Sequence, residues 1–340
     1  MNYLKLAIIT LLLSFLIACN TSEGESEEGS SGNNKIITSI YPIEYIVSEI
    51  GGDEVSVETV MPAGADAHTY EPSTKRMIEL ADSDGFFYVG AGLESFAEAM
   101  SDTIEGEGVH TLALSEHEEL FLKGEEESHN EDDEHNSDEE ESHSEEDEQG
   151  HDDEESHSDE DDGHDHGDFD PHFWLDPTRM IDAGDIVLQE LIKLYPEKES
   201  TFKENYQAFS EEMIELDSEF EQTLHGDEHY QILVAHKAFG YWENRYRLEQ
   251  FSIRGISSSQ EPSQKELQEI FKKIEEMKIN HIILEKNRDD RLVETIVEEQ
   301  NMELLYLHNL ATRTEDEIEE EKDYIELMRE NLEVLKESQQ

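Results

Sequence analysis

Short β-branched runs alternate along this chain with longer stretches whose apolar residues recur at helical spacing. IITSI (36–40) reads as a strand, and YPIEYIVSEIGG (41–52) as a helix closed by its two glycines. EVSVETVM (54–61) alternates as a half-buried strand does, and PSTKRMIELAD (72–82) reads as a short helix. GFFYVG (85–90) is a buried strand, LESFAEAMSDTI (93–104) a helix and VHTLAL (109–114) another strand. Strand–helix alternation of this kind implies parallel βαβ units.

The pattern stops at Glu125. From there to Asp168 the chain holds acid, Ser, His and Gly with no apolar residue, and Glu-Ser-His recurs at 127–129, 141–143 and 155–157. Such a segment can bury nothing and is expected to be disordered. Helical spacing resumes in DPTRMIDAGDIVLQELIKLYP (176–196). A second helix is expected from 197 to His225-Gly226, on the order of 40 Å long at about 1.5 Å per residue and long enough to connect two lobes. The second half then repeats the first. YQILVA, EQFSI, HIIL and ELLYL read as strands, AFGYWENRYR, SQKELQEIFKKIEEMK and DRLVETIVEEQ as helices, and a final helix is expected from about Glu315 to Lys336. The fold class is α/β: two lobes, each with a mainly parallel sheet flanked by helices, joined by a long rigid helix. The expected boundaries are 35–195 for the first lobe, 196–226 for the linking helix and 227–340 for the second lobe.

The N-terminus changes the setting. MNYLKLAIITLLLSFLIAC carries one early lysine and an apolar run from Leu6 to Ile17, short of the roughly 20 residues of a membrane span and suited to a secretory signal. LIAC at 16–19 has the order of a lipobox, so residues 1–18 are read as a lipoprotein signal peptide and Cys19 as the lipid-attachment site. The plainer alternatives are an ordinary signal peptide or an uncleaved anchor. Residues 19–34 have the composition of a flexible tether. The expected location is the outer face of the cell membrane, held there by lipid.

Composition narrows the chemistry. The 340 residues include 88 acids against 24 Lys and Arg, a formal net charge of −64. Nucleic-acid binding is excluded, because phosphate recognition needs a basic face; cations are the natural partners. Cys19 is the only cysteine, which removes intrachain disulfides and thiolate metal sites. Metal must be held by His and carboxylate.

Four such residues fall near strand ends or beside the acidic segment: His68 after VETVM, His172 in FDPHFWLDP, His236 after YQILVA and Glu285 after HIIL. In open parallel sheets ligands bind outside the carboxyl ends of the strands. Each residue has an ordinary explanation: an exposed loop histidine, a hydrogen-bonded core histidine, a helix N-cap, and a salt-bridge partner of Lys286 or Arg288. Together, in an exported acidic protein without other thiols, the histidines point to a metal. Imidazole suits Zn²⁺, Cu²⁺ and Ni²⁺, whereas Mn²⁺ prefers carboxylates. Asp170, Asp176, Glu71 and Glu285 are candidates to orient the ligand rings.

PAGADAHTYEPS, DPHFWLDP and AHKAFGYW resemble the three signatures of the zinc-binding lipoproteins that serve as solute-binding proteins of ABC-type metal importers, the zinc/manganese solute-binding family. The resemblance runs from about Lys35 to the C-terminus and includes the acidic, histidine-rich insert. It implies that His68, His172 and His236 coordinate one Zn(II) between the lobes, and that the protein delivers the ion to a membrane permease and its ATPase rather than acting as an enzyme. A monomer is expected. Many relatives carry an acidic fourth ligand in a segment like LNPLE; here that segment reads LHNLATRT, with Ala311 at the matching position. Water is then the first choice of fourth ligand, followed by Glu285, His308 or an insert histidine. The insert's seven histidines, among them His129, His143 and His157, are separated by solvated acid and read as a weak metal collector, against the plainer reading of a solubilising loop. Two rivals remain: a zinc-dependent hydrolase, disfavoured by the lack of HExxH, and a surface adhesin or passive metal store.

Overall fold

The computed structural model describes residues 34–80, 82–123, 169–224, 230–257, 262–286, 288 and 290–338. The leader, Cys19, the tether and the acid–histidine segment lie outside them. Among the described residues, no helix is long and apolar enough to cross a membrane.

The first sheet contains β1 (Lys35–Thr38), β2 (Ser56–Thr59), β3 (Gly85–Tyr88) and β4 (His110–Ala113), ordered β2-β1-β3-β4 and parallel throughout. The connecting helices are α1 (Tyr41–Gly51), α2 (Thr74–Leu80) and α3 (Ser95–Glu105). Pro42 opens α1, where a missing N–H costs nothing, and Gly52 ends it at φ 52°. A two-stranded antiparallel ribbon of β5 (Leu122–Lys123) and β6 (Phe169–Asp170) follows, on either side of the acidic segment. It was not foreseen, because two-residue strands carry no period to read.

Two long helices come next. Asp176 caps α4 (Pro177–Leu194) by accepting from Thr178 N–H at 2.8 Å, with Pro177 in the first turn. The 26-residue α5 (Glu199–Leu224) buries Phe202, Phe209, Met213, Leu216, Phe220 and Leu224 along one stripe. Gly184 lets the two helices approach: a Cβ there would lie 2.8 Å from Phe209.

The second sheet repeats the first. β7 (Tyr230–His236), β8 (Leu248–Arg254), β9 (His281–Glu285) and β10 (Glu303–Leu307) are all parallel, in the order β10-β9-β7-β8. In both lobes the first strand lies between the second and the third. The flanking helices are α6 (Gly240–Tyr246), α7 (Gln264–Met277) and α8 (Arg291–Gln300). The single C-terminal helix expected from Glu315 to Lys336 is instead two, α9 (Glu315–Glu319) and α10 (Tyr324–Glu337). Two capping boxes explain the break: Thr314 with Glu317, and Asp323 with Glu326, each start a helix, and Glu321 turns the chain at φ 56°.

The long helix joins the lobes. Phe209 of its first half packs on Tyr45 of α1, at 6.1 Å between ring centroids. Phe220 of its second half meets Trp242 and Tyr246 of α6 at 5.7 and 5.3 Å. One apolar core therefore runs from the first sheet through α4 and α5 into β7, α6 and α10. A smaller cluster lies under α7 and α8 on the far side of the second sheet.

Candidate metal centre

In the second sheet the chain reverses its lateral direction between β7 and β9, the switch point at which open α/β sheets bind ligands. His236 ends β7 and Glu285 ends β9. Val234 pairs with Ile283 in the ladder, so two residues further on His236 and Glu285 stand side by side. The corresponding point of the first sheet is filled from within. The buried Glu94 carboxylate accepts from Ser39 Oγ and from the backbone N–H groups of Val89 and Gly90, at 3.2 and 3.1 Å. Burial pushes its carboxyl above the usual range, and those three donors pull the other way. No sequence pattern pointed to Glu94.

His172 stands on the short segment after the ribbon, before the 3-10 turn Phe173–Leu175. Three second-lobe side chains hold this segment. Tyr241 Oη donates to Asp170 O at 2.7 Å, Trp242 Nε1 to Leu175 O at 2.7 Å and Tyr324 Oη to Trp174 O at 2.6 Å. Trp174 Nε1 in turn donates to Asn309 O at 2.7 Å. His68 lies on the loop after β2, where Asp66 Oδ1 accepts its backbone N–H at 2.9 Å.

These elements bring His68, His172 and His236 together. Each offers a ring nitrogen, and the three nitrogens lie within 4.8 Å of one another. The ring centroids form a nearly even triangle of 5.4, 5.6 and 5.9 Å. Three nitrogens on a tetrahedral zinc ion, at about 2.0–2.1 Å from it, are roughly 3.3 Å apart, within the bound that the three rings meet here. His172 and His236 are buried and His68 is partly exposed.

Carboxylates stand behind two of the rings. Asp170 Oδ1 accepts from both the backbone N–H and the Nδ1–H of His172, at 3.0 and 2.8 Å. A carboxylate only accepts, so the tautomer is fixed and Nε2 is left with its lone pair. Glu285 Oε1 lies 2.5 Å from His236 Nδ1, an ion-pair distance. The angle is not that of a hydrogen bond: neither ring nitrogen of His236 and neither Glu285 oxygen makes a well-formed one among the described residues. A buried histidine and a buried carboxylate left this way have room in their bonding for a water or an ion.

Of the other residues singled out from sequence, Asp176 serves as the α4 cap and Glu71 is exposed on a loop, so neither stands behind a ring. Phe239, not His236, is the N-cap residue of α6. His308 has both nitrogens engaged, Nε2 with Glu317 Oε2 at 2.9 Å and Nδ1 with Leu310 N–H at 2.8 Å, which removes it as a fourth ligand. Glu285 stands beside one ring rather than within the three-histidine group. Ala311 offers no donor side chain; its carbonyl accepts from Tyr41 N–H at 3.0 Å. The insert histidines and Cys19 lie outside the described residues. Asp66 was missed, although its place two residues before His68 was a local signal.

Two doubly wound sheets, a connecting helix and one cluster of three imidazoles backed by carboxylates define a two-lobed metal-binding protein. The chain belongs to the family described as zinc-uptake complex component A, periplasmic (ZnuA), whose model matches residues 36–338. It is 30% identical over 338 residues to the zinc-binding lipoprotein AdcA of Streptococcus pneumoniae, covering 99% of this chain and 61% of that protein. The chain thus spans about three fifths of the length of that relative. It is 24% identical to the high-affinity zinc uptake system protein ZnuA of Bacillus subtilis, covering 98% of this chain and 96% of the relative. Among solved structures it resembles the Zn(II)-bound ZnuA-like domain of S. pneumoniae AdcA, with a TM-score of 0.66, 27% identity, and 90% and 98% of the two chains covered.

Proposed function

We propose that this protein is the extracytoplasmic solute-binding component of an ABC-type importer. It captures one Zn(II) through His68, His172 and His236 in the cleft between its lobes and delivers the ion to a membrane permease driven by an ATPase. The lobes are taken as 35–195 and 227–340, joined by 196–226, with Cys19 lipidated and residues 19–34 as tether. The observation that carries this reading is the convergence of three imidazoles from separate parts of the chain within 4.8 Å. Membership of a zinc-uptake family supports it.

The chemistry follows from the donor set. Each ring must offer a nitrogen lone pair to ligate, so protons compete with the ion and acid weakens capture. Three neutral nitrogens and a water complete a tetrahedral shell. Neutral ligands leave the ion's charge uncompensated at contact, which favours release, and the carboxylates behind the rings offset it from further out. Binding and release, not catalysis, is the task of such a site.

The test is competition against a chromophoric zinc chelator, using the chain without its leader. One tight site per chain is expected, and His172→Ala should weaken it by more than the roughly 10- to 100-fold typical of losing a partner behind a ligand. Cells deprived of the gene should fail to grow under zinc chelation and recover with the wild-type gene but not with the His172→Ala version. Wild-type affinity in His172→Ala would end the proposal.

A further inference from the structure

We infer that Arg288 is an electrostatic latch between the lobes that sets how long the captured ion stays, an inference that rests on the zinc-capture reading. Arg288 lies on the connection after β9. Its Nη1 is 2.6 Å from Asp66 Oδ2, on the loop after β2, and 3.8 Å from Glu285 Oε2. Both partners lead directly to a ligand. Asp66 Oδ1 holds the backbone N–H of His68, and Glu285 Oε1 lies against the His236 ring. One guanidinium therefore ties the loop that carries a first-lobe histidine to the carboxylate beside the second-lobe histidine.

Two neutral bonds also tie that loop to the second lobe. Gly64 N–H donates to Arg313 O at 2.9 Å, and Thr312 Oγ1 donates to Ala65 O at 3.0 Å. The Arg288–Asp66 link differs because it is charged and reached by water, with both side chains 27% exposed. It can open without unpacking the core, and His68 is the one ring of the three that is not fully buried. Opening the link releases the Asp66–His68 end of the loop, while the bonds at Gly64 and Ala65 still hold its start. Charge alone works the other way, because a guanidinium so near repels a divalent ion, so faster release on losing Arg288 reports the lost tie and not the charge. The carboxylates of Asp66, Asp170 and Glu285 less the Arg288 guanidinium leave two net negative charges around the rings, matching a divalent ion. Without the ion, Arg288 is the cation that lets Asp66 and Glu285 stand together.

The experiment measures zinc dissociation from the loaded protein by stopped flow into excess chromophoric chelator. Arg288→Gln should speed dissociation by about fivefold, the scale of a partly exposed ion pair. Asp66→Asn keeps an acceptor for His68 N–H and should act alike; the double variant should be no faster than either single one. Arg288→Lys should recover part of the slow rate. Raising salt from about 50 mM to about 500 mM should speed release from the wild type and have little effect on Arg288→Gln. If zinc still binds at one tight site but Arg288→Gln releases it at the wild-type rate, or if the two substitutions add, the latch is refuted and capture stands. If the wild type shows no such site, the capture reading fails and the latch with it.

Discussion

Asp170 holds His172 in two ways: one oxygen takes the backbone N–H and the ring Nδ1–H together. The carboxylate is itself confined. A Cβ at position 240 would fall 2.7 Å from Asp170 Oδ2, so only glycine leaves room for it at the start of α6. The bond to the ring is charge-assisted and buried, which makes it worth more than a surface contact. Asp170→Asn keeps the volume but loses the charge, and its amide can flip to present N–H groups to the ring. Zinc affinity is expected to fall about 10- to 100-fold, the usual effect of disturbing a carboxylate behind a metal-bound histidine, and the metal-free protein to melt lower, because a buried charge-assisted bond is weakened. Chelator competition and calorimetry on the same sample check both halves. An unchanged affinity would mean that the aromatic frame around Trp174 orients His172 by itself.

At the scale of elements, the His308–Glu317 pair fastens the end of β10 to α9. Burial raises the Glu317 carboxyl, but the His308 ring, the Thr314 N–H and Lys286 outweigh it and hold the group at about 2. Its folded pKa thus lies below the unfolded value of roughly 4.3. The stabilisation is complete above about pH 5 and is lost as pH falls toward 2. Glu317→Gln should cost on the order of 2 kcal/mol near neutrality, and its gap to the wild type should close as urea melts are taken down in pH. A gap that stays constant with pH would show that shape, not charge, is at stake. These same elements mark what a sequence discloses. β-branched runs such as YQILVA and HIIL place strand ends, and strand ends place His236 and Glu285. Apolar spacing does not reveal the break between α9 and α10, because Ile318 is the only apolar residue between Arg313 and Tyr324 and sets no period; the Asp323 and Glu326 capping box was the available signal. Arg288 and Glu94 were illegible in a stronger sense. Asp66, the partner of Arg288, is 222 positions away, and Glu94 gains meaning only once β1 and β3 lie side by side.

For the whole molecule, the continuous core limits how far the lobes can part. Tyr45 of the first lobe stacks on Tyr324 of α10, 5.2 Å away, while α5 packs on both halves. Large hinge opening would expose this core, so on the proposed zinc-capture reading, capture and release are expected to be local events at the loops around the rings. In sequence the acidic segment falls between the two strands of the ribbon, which shows how it can be removed. Lys123 pairs with Phe169 in an antiparallel register, so the chain leaves and returns at neighbouring points. Replacing residues 125–168 by Asn-Gly, after Gly124, gives a three-residue connection of the kind that antiparallel strands accept. The shortened protein should keep one tight zinc site of wild-type affinity and lose only weak binding capacity, because His68, His172 and His236 all lie outside the deletion. Small-angle scattering of the shortened protein should change little on adding zinc, as one shared core requires. Calorimetric titration decides the first point: a lost or much weakened tight site would place an insert histidine on the ion, as its fourth ligand, and move the segment from collector to part of the centre.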